Sequence, residues 1–328
     1  MGGGEFMFID WVRRQTALDP ALVPVGPGDD CAVLTIGGER VLITTDMFLD
    51  GTHFDLAHDD PVLVGRKAMA ANLSDIAAMA GLPRAAVVSV GLPRSHGLSL
   101  GRALYQGMRA MADAYACPIV GGDVTSWAAP ASDLSDRSDM SDRAAPRRLA
   151  ISIAMLGEPA GIEPVLRRGA RVGDVVLVTG RLGGSLLGRH LTFEPRVAEA
   201  RALAQAVRLH AMMDISDGLS PDLAHICAES GTGAVIQAAS LPIHADAEAL
   251  ARRTGRTPLD HALNDGEDFE LLFTTDEDSA RHLAAHPPID VPLTAIGRIV
   301  AEGLFIEDAA GRRAPLAPGG YEHDLGEA

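Results

Sequence analysis

Short apolar runs of strand length alternate with longer stretches of helical periodicity along the whole chain, which restricts the fold to layered α/β arrangements. Residues 31–36 and 41–45 are apolar or alternating around Gly37-Gly38 and read as a β-hairpin whose second strand, VLITT, ends at Asp46. From Pro61 to Ala80 a proline start, an alanine-rich interior and Gly81 just beyond the end predict a helix. A strand at 85–92, an amphipathic helix from Leu98 to Tyr115, a short strand CPIV (117–120) and a strand LAISIAML (149–156) follow. Past Gly157 a second series opens with DVVLVTG (174–180), a Gly-rich turn and a helix. It continues through 211–231, the strand AVIQ, the stretch 265–275 and a closing strand near PLTAIGRIV. With 328 residues the chain has room for two domains, and Gly, Pro and Arg concentrate near 157–170. The expected division is therefore 1–157 and 158–328.

Several classes of function are excluded at once. No apolar run approaches the length of a membrane span, and the first residues, MGGGEFMFIDWVRR, place no basic stretch before an apolar one, so a cytoplasmic protein is expected. Cys31, Cys117 and Cys227 are far apart and odd in number, which argues for reduced thiols and against a disulfide framework or a structural zinc. A net charge of −16 without a basic, aromatic-rich patch makes nucleic acid a poor partner. The chain has one lysine, Lys67, between Arg66 and Ala68, so the Gly-Lys-Ser/Thr run of a Walker P-loop is missing, as are the protein-kinase motifs.

What remains is a repeated acidic signature: GPGDD (26–30), TTD (44–46), NLSD (72–75), GGD (121–123) and DISDGL (214–219). One Asp-Gly pair is ordinary turn chemistry. Five at the ends of strands, or one helical turn from them, fall where α/β proteins gather their ligands. Bare carboxylates repel polyphosphate, whereas Mg²⁺, held by a few carboxylates plus substrate phosphates, makes the same contact attractive. The turn RLGGSLLG after the strand 174–180 offers a phosphate cradle or simply a tight strand-to-helix turn. Cys31 begins an apolar run beside an aspartate and reads as a buried structural thiol. Lys67 reads equally as a counter-ion to the acidic site or as a snorkelling lysine. The tract at 127–148 repeats Ser, Asp and Arg with few apolar residues, and its composition predicts a disordered or mobile loop.

In order and spacing, GEF (4–6), GPGDDCAV, TTDMFLDGTHF, RKAMAANLSDIAAMAG, VGGDVT, RRGARVGDVVLVTG, MDISDGL, DGEDFELLFT and GGYEH (319–323) resemble the thiamine-monophosphate kinases of the aminoimidazole-ribonucleotide-synthetase-like superfamily. The resemblance spans nearly the whole chain apart from 127–148. It implies a two-domain α/β (α+β), PurM-like architecture, with an N-terminal mixed-sheet domain that forms homodimers and a C-terminal α/β domain that completes the active site. It implies ATP and several Mg²⁺ ions as cofactors, and thiamine monophosphate as acceptor. Asp30, Thr44, Thr45, Asp46, Asp75, Asp123, Asp214 and Asp217 fall at metal positions. Tyr105, Gly122, Asp123, Arg167 and Ser216 fall at ATP positions, with Arg168 an alternative to Arg167. His53, Glu267 and Tyr321 fall at substrate positions, the last two suited to a thiazolium cation. No covalent nucleophile is implied, since an anionic phosphate oxygen attacks the γ-phosphorus directly. A selenophosphate synthetase would want a reactive Cys and a Lys near the N-terminus, and neither occurs in the first thirty residues. An aminoimidazole ribonucleotide synthetase, or a non-catalytic metal- or nucleotide-binding protein, is the remaining alternative.

Overall fold

A computed structural model describes residues 5–94, 97–127, 149–321 and 323. The tract read as a loop therefore lies, from 128 to 148, outside the described residues. The chain clusters into two compact units, one of Met1–Ile43, Leu73–Leu82 and Gly157–Ala328, the other of Thr44–Asn72 and Pro83–Leu156. In chain order the first elements are α1 (Glu5–Gln15), β1 (Ala32–Ile36), β2 (Glu39–Leu49), α2 (Pro61–Ala78), β3 (Leu82–Leu92), α3 (Gly97–Ala114), β4 (Ile119–Ser126) and β5 (Ala150–Glu158). Their sheet runs β1-β2-β5-β3-β4.

The β1–β2 hairpin forms because Gly37 and Gly38 both take positive φ, 62° and 89°, the mirror-image turn that suits the twist of two antiparallel strands. Strands β3 and β4 are parallel, so the chain must cross over between them, and α3 is that crossover. Within the same unit α2 and α3 meet at glycines. A Cβ on Gly65 would lie 2.0 Å from the Leu104 carbonyl oxygen, and one on Gly107 1.8 Å from that of Val62, so the helices approach backbone to backbone. Strand β4 runs to Ser126, well past the CPIV run expected from sequence, because the polar GGDVTS segment pairs residue for residue with 87–92 of β3.

The larger unit holds a seven-stranded mixed sheet ordered β12-β11-β8-β10-β6-β9-β7. Its elements are β6 (Val175–Thr179), α4 (Val197–Ala206), β7 (Ala211–Asp214), α5 (Leu219–Ser230), β8 (Gly233–Gln237), α6 (Ala245–Thr254), α7 (Pro258–Asn264), β9 (Leu271–Thr275), α8 (Glu277–Ala285), β10 (Leu293–Val300), β11 (Leu304–Glu307) and β12 (Arg313–Pro315). Every residue of β6, β7 and β9 is buried, which is why these strands read as continuous apolar runs without alternation. Val178, Met213, Ile215, Leu223, Ile226 and Leu272 belong to one core between sheet and helices. Burying a side chain of this size contributes about 1.5–3 kcal/mol, so this core is the rigid base on which the loops after β7 and before β9 are mounted.

Candidate active site

Three carboxylates converge in the larger unit. Asp30 ends the GPGDD turn just before β1, Asp75 lies on α2 and Asp214 closes β7, and one oxygen from each lies within 4.8 Å of the others. Asp30 and Asp214 are buried. Ser74 donates its hydroxyl to Asp214 Oδ2 at 2.5 Å. Arg167 donates its side chain to Asp30 Oδ1 at 2.7 Å and its backbone N–H to Asp29 Oδ1 at 3.0 Å. Asp30 Oδ2 is buried and finds no hydrogen-bond partner among the described residues, so a residue of the cluster keeps an unsatisfied acceptor. Burial, helped by the Asp30 charge, pushes the Asp29 carboxyl up to about 7. Cys31 is buried, and desolvation together with the Asp75, Asp30, Asp29 and Asp214 charges raises its thiol well above the usual range, which fits the inert structural role read from sequence.

A second group of predicted residues is gathered by the DISDGL turn. The Glu267 N–H donates to the Ser216 carbonyl at 2.6 Å and the Tyr321 N–H to the Asp217 carbonyl at 3.3 Å, so three segments distant in sequence share one turn. Glycines permit this approach: a Cβ on Gly266 would lie 2.7 Å from the Ser216 carbonyl oxygen, and one on Gly320 2.5 Å from that of Asp217. Glu267 and Phe269 both take positive φ, 54° and 50°, a conformation costly for residues with a side chain. The surroundings hold it. Ser185 donates its hydroxyl to the Glu267 carbonyl at 2.7 Å, the Phe269 N–H donates to Ile215, and the Phe269 ring stacks on Phe193 at 4.0 Å. Asp222, on the first turn of α5, accepts the N–H groups of Asp217 at 3.3 Å and Gly218 at 3.2 Å and fixes the turn from below.

In the smaller unit the predicted residues lie on β2, the loop after it, α3 and β4. Thr44 and Asp46 share one face of β2, while the Thr45 side chain lies on the other with Met47 and Leu49. Gly122 and Asp123 sit on β4, and a Cβ on Gly122 would stand 1.9 Å from the Val88 carbonyl oxygen. Tyr105 is exposed on α3. His53 accepts the Leu49 N–H at Nδ1, 3.1 Å away. Lys67 is fully buried and donates to the His53 carbonyl at 2.5 Å, so it does not snorkel; it braces the loop that carries His53.

The Gly-rich turn does not serve as an open phosphate cradle. Its amides at Gly183 and Gly184 donate to the carboxylates of Asp268, at 2.8 Å, and Asp265, at 3.1 Å, and are thereby used. Sequence reasoning missed Asp29, Ser74 and Asp222, and it missed Arg167 as a partner of Asp30. Each neighbours a recognised motif, yet only the fold shows where its side chain goes.

Two sheets, paired halves and an acidic cluster at strand ends define the class: the AIR synthase related proteins, whose N-terminal domain model matches residues 28–158 and whose C-terminal domain model matches 178–308. The thiamine-monophosphate kinase of Rhodopirellula baltica is 39% identical over 97% of each chain, and that of Escherichia coli is 33% identical over 98% of this chain and 99% of its own. This chain belongs to the thiamine-monophosphate kinase family. Among solved structures, AaThiL complexed with AMPPCP and TMP superposes with a TM-score of 0.78 at 30% identity, covering 98% of this chain and 97% of the other. The Stenotrophomonas maltophilia thiamine-monophosphate kinase superposes with a TM-score of 0.66 at 31% identity, covering 94% and 98%.

Proposed function

We propose that this protein transfers the γ-phosphoryl group of ATP to thiamine monophosphate, giving ADP and thiamine diphosphate. The observation that carries the reading is the Asp30–Asp75–Asp214 cluster, in which one carboxylate oxygen of each lies within 4.8 Å of the others, and Asp30 keeps a buried, unpartnered Oδ2. Such a set fits a hard divalent cation, because carboxylates this close repel one another and a cation between them relieves that repulsion. Asp30, Asp75, Asp214 and Asp217 would hold Mg²⁺ in the larger unit, and Asp46, Asp123 and the oxygens of Thr44 and Thr45 would hold it in the smaller one. Bound Mg²⁺ supplies neutralisation of the polyphosphate charge.

The remaining work belongs to the side chains. Ser216 and Arg167 in the larger unit, and Gly122 and Tyr105 in the smaller one, are the nucleotide-binding residues; Arg167 is already committed to Asp30 of the cluster. Glu267 and Tyr321, tied by their backbones to consecutive residues of the DISDGL turn, receive the thiazolium between a carboxylate and an aromatic face, and His53 is the substrate-binding residue of the smaller unit. The acceptor oxygen is already an anion, so positioning, rather than proton removal, is what the protein contributes, and no phosphoenzyme intervenes. By this reading residues 1–157 provide nucleotide and metal binding, and 158–328 complete the carboxylate set.

A homodimer formed by the N-terminal part is supported by the apolar residues that β2–β5 leave exposed, among them Met47, Val87, Val120, Val124 and Leu156. A cytoplasmic location is in keeping with the absence, among the described residues, of any helix long and apolar enough to cross a membrane. The reading is tested by supplying the protein with ATP and Mg²⁺ and a panel of acceptors: thiamine monophosphate, formylglycinamidine ribonucleotide and selenide. ATP consumption should depend on the first; dependence on either of the others would transfer the protein to a different branch of the superfamily.

A further inference from the structure

Residues 162–166, 168, 169, 171 and 204–210 wall a cleft of about 810 Å³ that contains none of the clustered aspartates and falls within the range of small-molecule sites. Its charged lining is mostly positive in a chain of net charge −16: Arg168, Arg171 and Arg208, with Glu163 and His210. Glu163 is paired with Arg40. The three guanidinium groups make no hydrogen bond or ion pair with other described residues, although the backbones that carry them are firmly held. The Arg171 N–H donates to Asp174 Oδ2 at 2.8 Å, and the Arg208 carbonyl accepts from the Thr275 hydroxyl at 2.8 Å. Beside Arg168, the amides of Gly169 and Ala170 donate to Ser230 Oγ at 3.0 and 3.1 Å. Gly169 has φ +122°, and a Cβ there would stand 2.4 Å from the His210 carbonyl oxygen, so the two walls of the cleft touch at that point.

His210 adds a built polar group. Its side chain is only 6% exposed, and Nδ1 is held by Asp174 at 2.8 Å, which fixes the ring and leaves Nε2 for a ligand. Guanidinium groups on anchored backbones with a positioned imidazole are suited to the oxygens of phosphate groups, which arginine binds with paired hydrogen bonds.

We propose that this cleft binds the diphosphate group of a phosphorylated small molecule, at a site separate from the carboxylate cluster. The proposal does not depend on the kinase reading. The diphosphate can come from a nucleotide or from thiamine diphosphate, and both present the same oxygens to Arg168, Arg171, Arg208 and His210.

The test uses the full chain in a metal chelator and low salt, where the acidic cluster repels phosphate and contributes no binding of its own. Calorimetric titration with inorganic pyrophosphate should show one site per chain. Arg171→Gln/Arg208→Gln should weaken it at least about ten-fold, as expected for the loss of two charge-assisted hydrogen bonds. Asp75→Asn should leave it nearly unchanged. Arg171→Lys/Arg208→Lys keeps the charge and should bind more tightly than the glutamine pair, and equal melting temperatures would show that both pairs are folded. Displacement of pyrophosphate by ADP or by thiamine diphosphate, added separately, identifies the source of the diphosphate. No binding to the parent protein, equal binding by the glutamine pair, or displacement by neither compound would overturn the proposal.

Discussion

Replacing Asp75 by asparagine should kill turnover and yet stabilise the metal-free fold. The carboxylate oxygens of Asp30, Asp75 and Asp214 lie within 4.8 Å of one another, and two unit charges at that distance repel by about 3.5 kcal/mol at an effective dielectric constant of about 20. The Arg167 guanidinium beside Asp30 relieves some of this, so removing the Asp75 charge should recover about 1–3 kcal/mol, equivalent to a rise in Tm of roughly 2–6 °C in a chelator. Added Mg²⁺ should raise the Tm of the parent more than that of the variant, closing or reversing the gap. Turnover should drop by at least about 10²-fold, and raised Mg²⁺, though not raised ATP, should restore part of it. Asp30→Asn is the control for the reasoning, because Asp30 is 1% exposed in its side chain and neutralises an Arg167 that is 22% exposed. Losing that charge leaves a largely buried guanidinium without its counter-ion, so this variant should be destabilised by roughly 2–4 kcal/mol. Melting curves of parent, Asp75→Asn and Asp30→Asn, with chelator and with Mg²⁺, measure all of this together. If Asp75→Asn melts below the parent in chelator, as Asp30→Asn should, the carboxylates are not in mutual repulsion and the argument for a cation between them fails.

Glu267→Gln and Tyr321→Ala should raise KM for thiamine monophosphate about ten-fold while sparing KM for ATP, in keeping with the loss of one cation contact; steady-state kinetics against each substrate check this, and equal damage to both would count against it. Gly122→Ala should cost activity and stability together, since its Cβ would meet the Val88 carbonyl oxygen at 1.9 Å and must push β3 and β4 apart; unchanged melting and turnover would contradict that. Burial lifts the Asp268 carboxyl to about 7 against the pull of Arg189 and the Gly183 N–H. A carboxyl that holds its proton more tightly folded than unfolded adds stability that is full below about pH 4 and is lost as pH rises through about 7, so Asp268→Asn should flatten the fall in Tm between pH 5 and pH 8. Replacing 128–148 by a short Gly-Ser turn should leave turnover within a few-fold, and a loss as large as that of Asp75→Asn would show that the tract takes part in the reaction.

Much of this fold was legible because its strands are apolar for simple reasons. VLITT, AAVVSVGL, DVVLVTG and AVIQ each lie within or closely overlap a strand: the last two are buried on both faces and read as continuous apolar runs, while the first two alternate between buried and more exposed positions. Helix α2 could be read from Pro61 and its alanine-rich interior. Its C-terminal reversal was less legible: Ala80, not the expected Gly81, takes positive φ, while Gly81 is needed because a Cβ would stand 2.4 Å from the Leu42 side chain. Helices α6, α7 and α8 went unread, being only seven to ten residues long and rich in polar residues, so their periodicity is faint.

The site divides along the same line. Asp30, in a glycine turn, and Asp214, at a strand end, could be chosen from local chemistry, whereas Asp75 lies in the last turns of α2 rather than at a strand end. That Ser216, Asp217, Glu267 and Tyr321 share one turn could not, because the joining bonds are backbone contacts between segments about 50 residues apart or more. Arg167 shows the same limit. Its motif suggests phosphate, whereas the geometry commits it first to Asp30.

The central claim is most directly tested by following the label. ATP carrying radioactive phosphorus at the γ position, incubated with the protein, Mg²⁺ and thiamine monophosphate, should place the label in the terminal phosphate of thiamine diphosphate, one for each ADP formed. Asp75→Asn should abolish the transfer. Label released as inorganic phosphate at the same rate with or without thiamine monophosphate, or recovered covalently on the protein, would contradict direct transfer to this acceptor.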